Sequence, residues 1–312
     1  MPEAFATPVS RRQTIATLGA GVAGLALTAP ARAFAPATSG DGTAGADALL
    51  ASIADNLLAH SPEGATSLGI DTGARAAMRA QLGDRSAAGQ QALAATLKAD
   101  LARVRAFDTA GLDHATRTSL AVVDSAYDVA LAGFAQPYGD VAVGGWRNTP
   151  YVVIQNVGAY LDVPKFLDSD HPVKTSADAE AYLARLAAYP AALDGETERL
   201  KAAAAQGLIA PAFLIDKAVK QMEASLADAR EGGGLVESLA SRTREQNIAG
   251  NWGPRAEAIT RETVVPALER QLAELKAQRP KATMDAGMWA RPHGDEFYAW
   301  ALRASTTTRM TP

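Results

Sequence analysis

The chain has 312 residues, room for one large domain or two modest ones, and its 48% hydrophobic and 21% charged content excludes a disordered polymer. Alanine fills 70 positions while aromatics make up 6%, which argues against an all-β fold, since alanine favours helices and strands favour aromatic and β-branched residues. A net charge of −4 argues against a duplex-binding surface, and the absence of cysteine excludes disulfides, thiolate zinc sites, iron–sulfur clusters and cysteine nucleophiles.

Residues 1–33 read as an address. Arg11-Arg12 precede a Gly- and Ala-rich apolar run from Ile15 to Leu27, and Ala31-Arg32-Ala33 supplies a small-x-small cleavage pattern. The pattern Ser10-Arg11-Arg12-Gln13-Thr14-Ile15 resembles a bacterial twin-arginine signal, with Thr14 where Phe is usual. The run is short of the roughly 20 residues that span a bilayer, so no transmembrane span is expected after cleavage. Removing Arg11, Arg12, Arg32 and Glu3 leaves a more acidic remainder. The expected location is periplasmic or secreted, with residues 34–45 as a linker and 46–312 as one helical domain.

From Ala46 the apolar period is helical. Leu49, Leu50, Ile53, Leu57 and Leu58 form one stripe. Ser61-Pro62-Glu63 ends that helix and starts a short one with proline in its first turn. A helix over 85–105 carries Leu93, Leu97, Leu101 and Val104, and one over 113–134 carries Leu120, Val123, Tyr127 and Leu131. Residues 135–149 form a glycine-rich loop. Helices are then predicted over 151–161, 176–189, 191–206 and 211–230, with Pro164 and Pro190 as breaks. Glu231 to Gly234 reads as the most flexible point. A helix over 259–278 should kink at Pro266 or start there, and 294–304 forms the last. The expected fold class is all-α, an irregular multi-helix bundle of helical hairpins.

Chemistry is sparse. The four histidines, His60, His114, His171 and His293, are scattered, and no His-Glu-x-x-His occurs. Asp168-Ser169-Asp170-His171 is the one tight group of candidate ligands, and turn chemistry explains it better than a metal. No Gly-x-Ser-x-Gly is present, and the glycine run 232–234 lacks the flanks of a phosphate loop. Glu196, Glu198 and Glu245 read as solvated helix faces. The segment Trp146 to Asn156 sets aromatic and amide side chains beside the loop, so Tyr151, Gln155 and Asn156 are the candidate substrate-contacting residues, with backbone bonding the more economical fate for the two amides. No residue is assigned a catalytic or metal-binding role. The C-terminal Thr311-Pro312 is written like a helix start, which suggests truncation of a longer chain.

Several segments taken together resemble a known family. Ser61-Pro62-Glu63-Gly64-Ala65-Thr66-Ser67-Leu68-Gly69 follows an opening helix, and Tyr151 to Pro164 precedes Phe166-Leu167 and His171-Pro172-Val173-Lys174. Ala177 to Leu186, Gly207-Leu208-Ile209-Ala210-Pro211, Asp216-Lys217, Tyr298 and Thr306-Thr307-Thr308 complete the order. In this order they resemble the bacterial family catalogued as "domain of unknown function 885", from about Ala46 to the end of the chain. The resemblance implies a mostly helical, exported protein of nearly twice this length, similar to zinc-dependent peptidases, whose His-Glu … Gly-His-His motif lies in the C-terminal half. It therefore implies zinc only in that half and no cofactor here. The expected function is the N-terminal part of an exported metallopeptidase-like hydrolase, forming a wall of the substrate cleft and inactive alone. Water activated by the metal would attack an amide carbonyl. The expected partners are a peptide substrate and the C-terminal half, with no nucleic acid. The alternative is a non-catalytic exported helical binding protein.

Overall fold

The computed structural model describes residues 41–308 apart from Trp146. Arg11, Arg12, Ala31 and Ala33, expected to belong to a signal, and the terminal Thr311-Pro312 lie outside the described residues. Eleven α-helices and no named strand occur among the described residues, so the chain is all-α. No helix there is long and apolar enough to cross a membrane.

Three helices form the first layer. α1 (Asp41–Ala59) begins five residues before Ala46, where the helical domain was expected to start, inside the segment expected to be linker. α3 (Ala87–Ala106) and α4 (His114–Phe134) form an antiparallel hairpin. Ser86 and Asp113 cap them by accepting from the Gly89 and Thr116 amides, which relieves orphan donors of the first turn. Ile53, Leu97, Leu101, Leu120 and Tyr127 meet between the three helices. The short α2 (Pro62–Ser67) follows α1, and a 3₁₀ turn covers Gly73–Ala80.

The second layer is built around α6 (Ser176–Ala205). A reciprocal capping box between Thr175 and Asp178 fixes its start. The break predicted at Pro190 does not occur. An interior proline costs about 3 kcal/mol, but Leu186, Tyr189 and Leu193 around it are buried, and each such side chain returns about 1.5–3 kcal/mol. α7 (Ala212–Arg230), α8 (Gly234–Glu245), α9 (Trp252–Ile259) and α10 (Val265–Gln278) complete this layer. α8 and α9 were not predicted from the sequence, and Gly232–Gly233 is a tight turn between α7 and α8. A π-turn over Thr260–Val264 joins α9 to α10 just before Pro266. Proline supplies no N–H to the i−4 carbonyl, and widening the preceding turn absorbs that loss.

The helix predicted from Tyr151 begins instead at Ala159. α5 (Ala159–Ser169) runs through Pro164 without a break. Residues 151–158, buried except at Gln155 and Asn156, are irregular: Ile154 and Val157 exchange both backbone hydrogen bonds at 3.0 and 3.3 Å. Gly158 then sits at φ +131°, outside the helical region. The apolar run is enclosed on all sides, and enclosure by itself does not specify a helix.

α11 (Gly294–Thr306) returns to α4. Trp300 donates from Nε1 to the Val129 carbonyl at 2.9 Å and lies edge-on to Phe297. Its ring fills the space where a Gly133 side chain would stand: a Cβ there would lie 2.2 Å from Trp300 Cζ2. Gly133→Ala is therefore expected to lower stability by about 1–3 kcal/mol and to alter Trp fluorescence; an unchanged urea midpoint and emission spectrum would show that α11 tolerates displacement.

Candidate functional site

Where the two layers meet, a cleft of about 530 Å³ opens between the start of α3, the loop 140–149, α5 and α6. Its lining mixes charged and apolar groups, with Arg85, Arg147, Arg199, Asp140, Asp162 and Glu196 set among Val157, Val163 and Phe166.

Glu196 lies at the floor, 1% exposed. It was expected on a solvated face, as Glu198 and Glu245 indeed are. Tyr189, Leu193 and Leu200 show why it is not: Glu196 lies among them on the buried stripe of α6 at helical spacing. Its carboxylate accepts from the Ala159 amide at 2.8 and 3.0 Å, the first turn of α5, and from Arg85 Nη1 at 2.9 Å. It caps a neighbouring helix and neutralises a guanidinium at once. Burial raises its pKa, opposed by Arg85 and the Ala159 amide.

Arg85 Nη1 also reaches Asp162 Oδ2 at 3.2 Å, and Arg147 Nη1 approaches the other oxygen of Asp162 at 3.6 Å. Arg147 Nη2 donates to the Asn156 carbonyl. Arg199 ties α6 to the loop through the Gly139 carbonyl and Asp140. The backbone pair Asp140–Thr149 closes that loop at its base, at 2.8 and 3.2 Å. Tyr160 donates its hydroxyl toward Ile154 O and Gln221, both at 3.0 Å.

Below the cleft lies a second buried network. Arg185 is fully buried. It donates to Gln81 O at 2.8 Å, Met78 O at 3.0 Å, Thr66 Oγ1 at 2.7 Å and His171 Nδ1 at 2.8 Å. Its guanidinium stacks on Phe166, 4.7 Å from the ring centre. Arginine only donates, so His171 Nδ1 must accept, and Nε2 carries the proton that goes to the Asp178 carbonyl at 2.9 Å. Arg79 bridges buried Asp71 and Asp178, both at 2.8 Å. The network fastens α2 and the 3₁₀ turn to α6.

This network makes stability pH-dependent. Burial, then the nearby arginines, pushes the His171 pKa down to about 4. An unfolded chain has His near 6.5, so between these values the unfolded state binds more protons and stability rises with pH. Full stability is expected above about pH 6.5 and a loss of about 3 kcal/mol by pH 4. Urea unfolding at pH 7 and pH 5 checks this; equal midpoints would refute a neutral buried His171.

The sequence-derived candidates do not converge on the cleft. Tyr151 is buried and its hydroxyl accepts from Arg291 Nε at 2.9 Å, while burial raises its pKa. Gln155 has an enclosed Oε1 without a partner among the described residues, so the backbone fate expected for it is not realised. Asn156 is exposed and meets Arg147 through its backbone carbonyl. None of the three lines the cleft. In the Asp168–His171 group, Asp170 accepts from Ser67 and His171 is consumed by Arg185 and Asp178, which is turn and core chemistry.

Among the described residues, no group of three or more histidine, aspartate or glutamate side chains stands where it could hold one ion. The arginines among the cleft carboxylates already neutralise Glu196, Asp162 and Asp140.

The fold is similar to that of a solved protein described as a "putative lipoprotein" from Colwellia psychrerythraea, with a TM-score of 0.76 and 18% identity. The match covers 87% of this chain and 47% of that one, so the chain spans about half the length of that relative. None of the curated proteins matches it. Residues 62–312 match the family described as "Bacterial protein of unknown function (DUF885)", and the chain belongs to that family.

Proposed function

We propose that this chain is the N-terminal part of an exported metallopeptidase-like hydrolase and forms one wall of its substrate cleft. The observation that carries the reading is the cleft itself. It is preformed, it is held by ion pairs between four separate chain segments, and it is lined by groups suited to hydrogen-bond a peptide. A chain that spans half of a similarly folded relative supports a division of labour between two halves. Export is supported by the Arg11-Arg12 segment and by the lipoprotein description of that relative.

In this reading the residues of this chain bind and orient. Arg85, Arg147 and Arg199 hold the walls, and Glu196 keeps α5 and Arg85 in register beneath the substrate. Zinc and the base would come from the family's C-terminal half.

The test has two arms. The chain alone is expected to carry no stoichiometric zinc by metal analysis and to leave peptides intact. Joined to the C-terminal half of a family member, it is expected to cleave them. One tightly held zinc, or peptide cleavage by the chain alone, would overturn the division. An inert, well-folded joined protein would favour a non-catalytic binding role.

A further inference from the structure

Three guanidiniums line the cleft, and their hydrogen bonds are unevenly spent. Arg199 spends Nη1 on the Arg85 carbonyl and Nη2 on the loop, through the Gly139 carbonyl and Asp140. Arg85 uses Nη1 alone, shared between Asp162 and Glu196, and its Nε and Nη2 have no partner among the described residues. Arg147 spends Nη2 on the Asn156 carbonyl, while its Nη1 stands 3.6 Å from Asp162, beyond hydrogen-bond length. Arg147 is half-exposed and Arg85 about a quarter exposed, so the free donors meet solvent rather than core.

The two side chains are also close together, because they take opposite oxygens of the same carboxylate, Asp162. Glu196 is beneath them and directs both oxygens to the Ala159 amide and Arg85. At the surface of the cleft, Arg85 and Arg147 share Asp162, and what sets the pair apart is the N–H donors left free rather than an excess of positive charge. The other acidic residues of the lining also have partners: Glu63 accepts from the Gly83 amide and adds to the field on Arg85, Asp84 accepts from the Ser86 amide, and Asp140 from Arg199.

A pair of guanidiniums with forked donors free is matched by a planar anion, which can take two parallel N–H bonds from one or both. We propose that Arg85 and Arg147 form a carboxylate-binding subsite at the mouth of the cleft, and that the ligand it takes is the free carboxylate of a peptide. Asp162 positions the pair and Glu196 holds Arg85 from below. The subsite would favour ligands that end, or carry an acidic side chain, beside Arg85 and Arg147. This rests on the substrate-cleft reading above and gives it a substrate class.

Binding can be read on this chain without any catalysis. N-acetyl-dialanine, its C-terminal amide, N-acetyl-aspartyl-alaninamide and inorganic phosphate serve as probes in titration calorimetry or by NMR shift perturbation. N-acetyl-dialanine is expected to bind, with the amide weaker by about tenfold or more. Arg147→Ala should weaken N-acetyl-dialanine by a similar factor while the folded helical spectrum is kept, and Arg147→Lys should restore only part of it. Comparable binding of N-acetyl-aspartyl-alaninamide would assign the carboxylate to an acidic side chain and support the subsite. Equal affinity for acid and amide, an unaffected Arg147→Ala variant, tighter binding of phosphate, or no binding at about 10 mM would each overturn it. Failure here leaves the joined protein free to cleave peptides, so the two readings fail separately.

Discussion

Replacing Arg185 with methionine is expected to cost about 3–5 kcal/mol. Methionine matches the length of the stem but donates nothing. The Gln81 and Met78 carbonyls, Thr66 Oγ1 and His171 Nδ1 would all lose a charged donor inside a dry core. Each buried acceptor left without a partner costs about 1–3 kcal/mol. The stacking on Phe166 would go as well. Because these partners lie on α2, on the 3₁₀ turn and before α6, the damage should be local first. Hydrogen exchange should show residues 62–82 opening before the α6–α10 core. Urea unfolding measures the total; a loss below about 1 kcal/mol would mean that water or a neighbouring donor replaces the guanidinium.

Glu196→Ala is expected to cost about 3–5 kcal/mol, because removing one partner of a buried ion pair leaves the other charge uncompensated. Arg85 would retain Asp162 alone. The Ala159 amide would lose both bonds at the start of α5. Glu196→Gln separates these effects. Its amide oxygen can still accept from Ala159 while the charge is gone, so its loss should fall well below that of the alanine variant. Equal losses in the two variants would assign the effect to charge alone. A negligible loss in both would show that Glu196 does not hold the cleft floor. The raised pKa expected from burial gives a further readout, since the carboxyl stretch of Glu196 should titrate above the ordinary glutamate range.

Both predictions concern residues whose importance was unevenly legible in the sequence. Glu196 had a usable signal. It continues the stripe of Tyr189, Leu193 and Leu200, and a carboxylate on a buried stripe calls for a partner. Arg185 had the same signal, three residues after Tyr182 and one before Leu186 on a helix that is buried on most sides. What the sequence could not supply was the partners. Arg85 and Asp162 lie far from Glu196 along the chain, as Thr66 and Gln81 lie far from Arg185.

Local rules fixed most of the helices. The stripes of α1, α3 and α4, the proline start of α2 and the cap region of α6 follow from spacing and from residues at helix ends. They also fixed the all-α class. Local rules failed where burial outweighed propensity. Pro190 did not break α6, because its neighbours are too deeply packed to release. Residues 151–158 did not form a helix, because Gly158 and the Ile154–Val157 turn set the backbone while the surrounding helices enclosed it. Tyr151, Gln155 and Asn156 stood out for their chemistry, but Tyr151 meets Arg291, Gln155 Oε1 is enclosed, and Asn156 reaches the cleft only through its backbone carbonyl.

The sequence by itself thus determined the helical class, the resemblance to a family, and a chain poor in metal ligands. Only the tertiary structure decided where charge is buried and which arginines keep free donors. The reason is range: helix periodicity and capping act within about four residues, whereas a buried ion needs compensation from whatever the fold brings beside it.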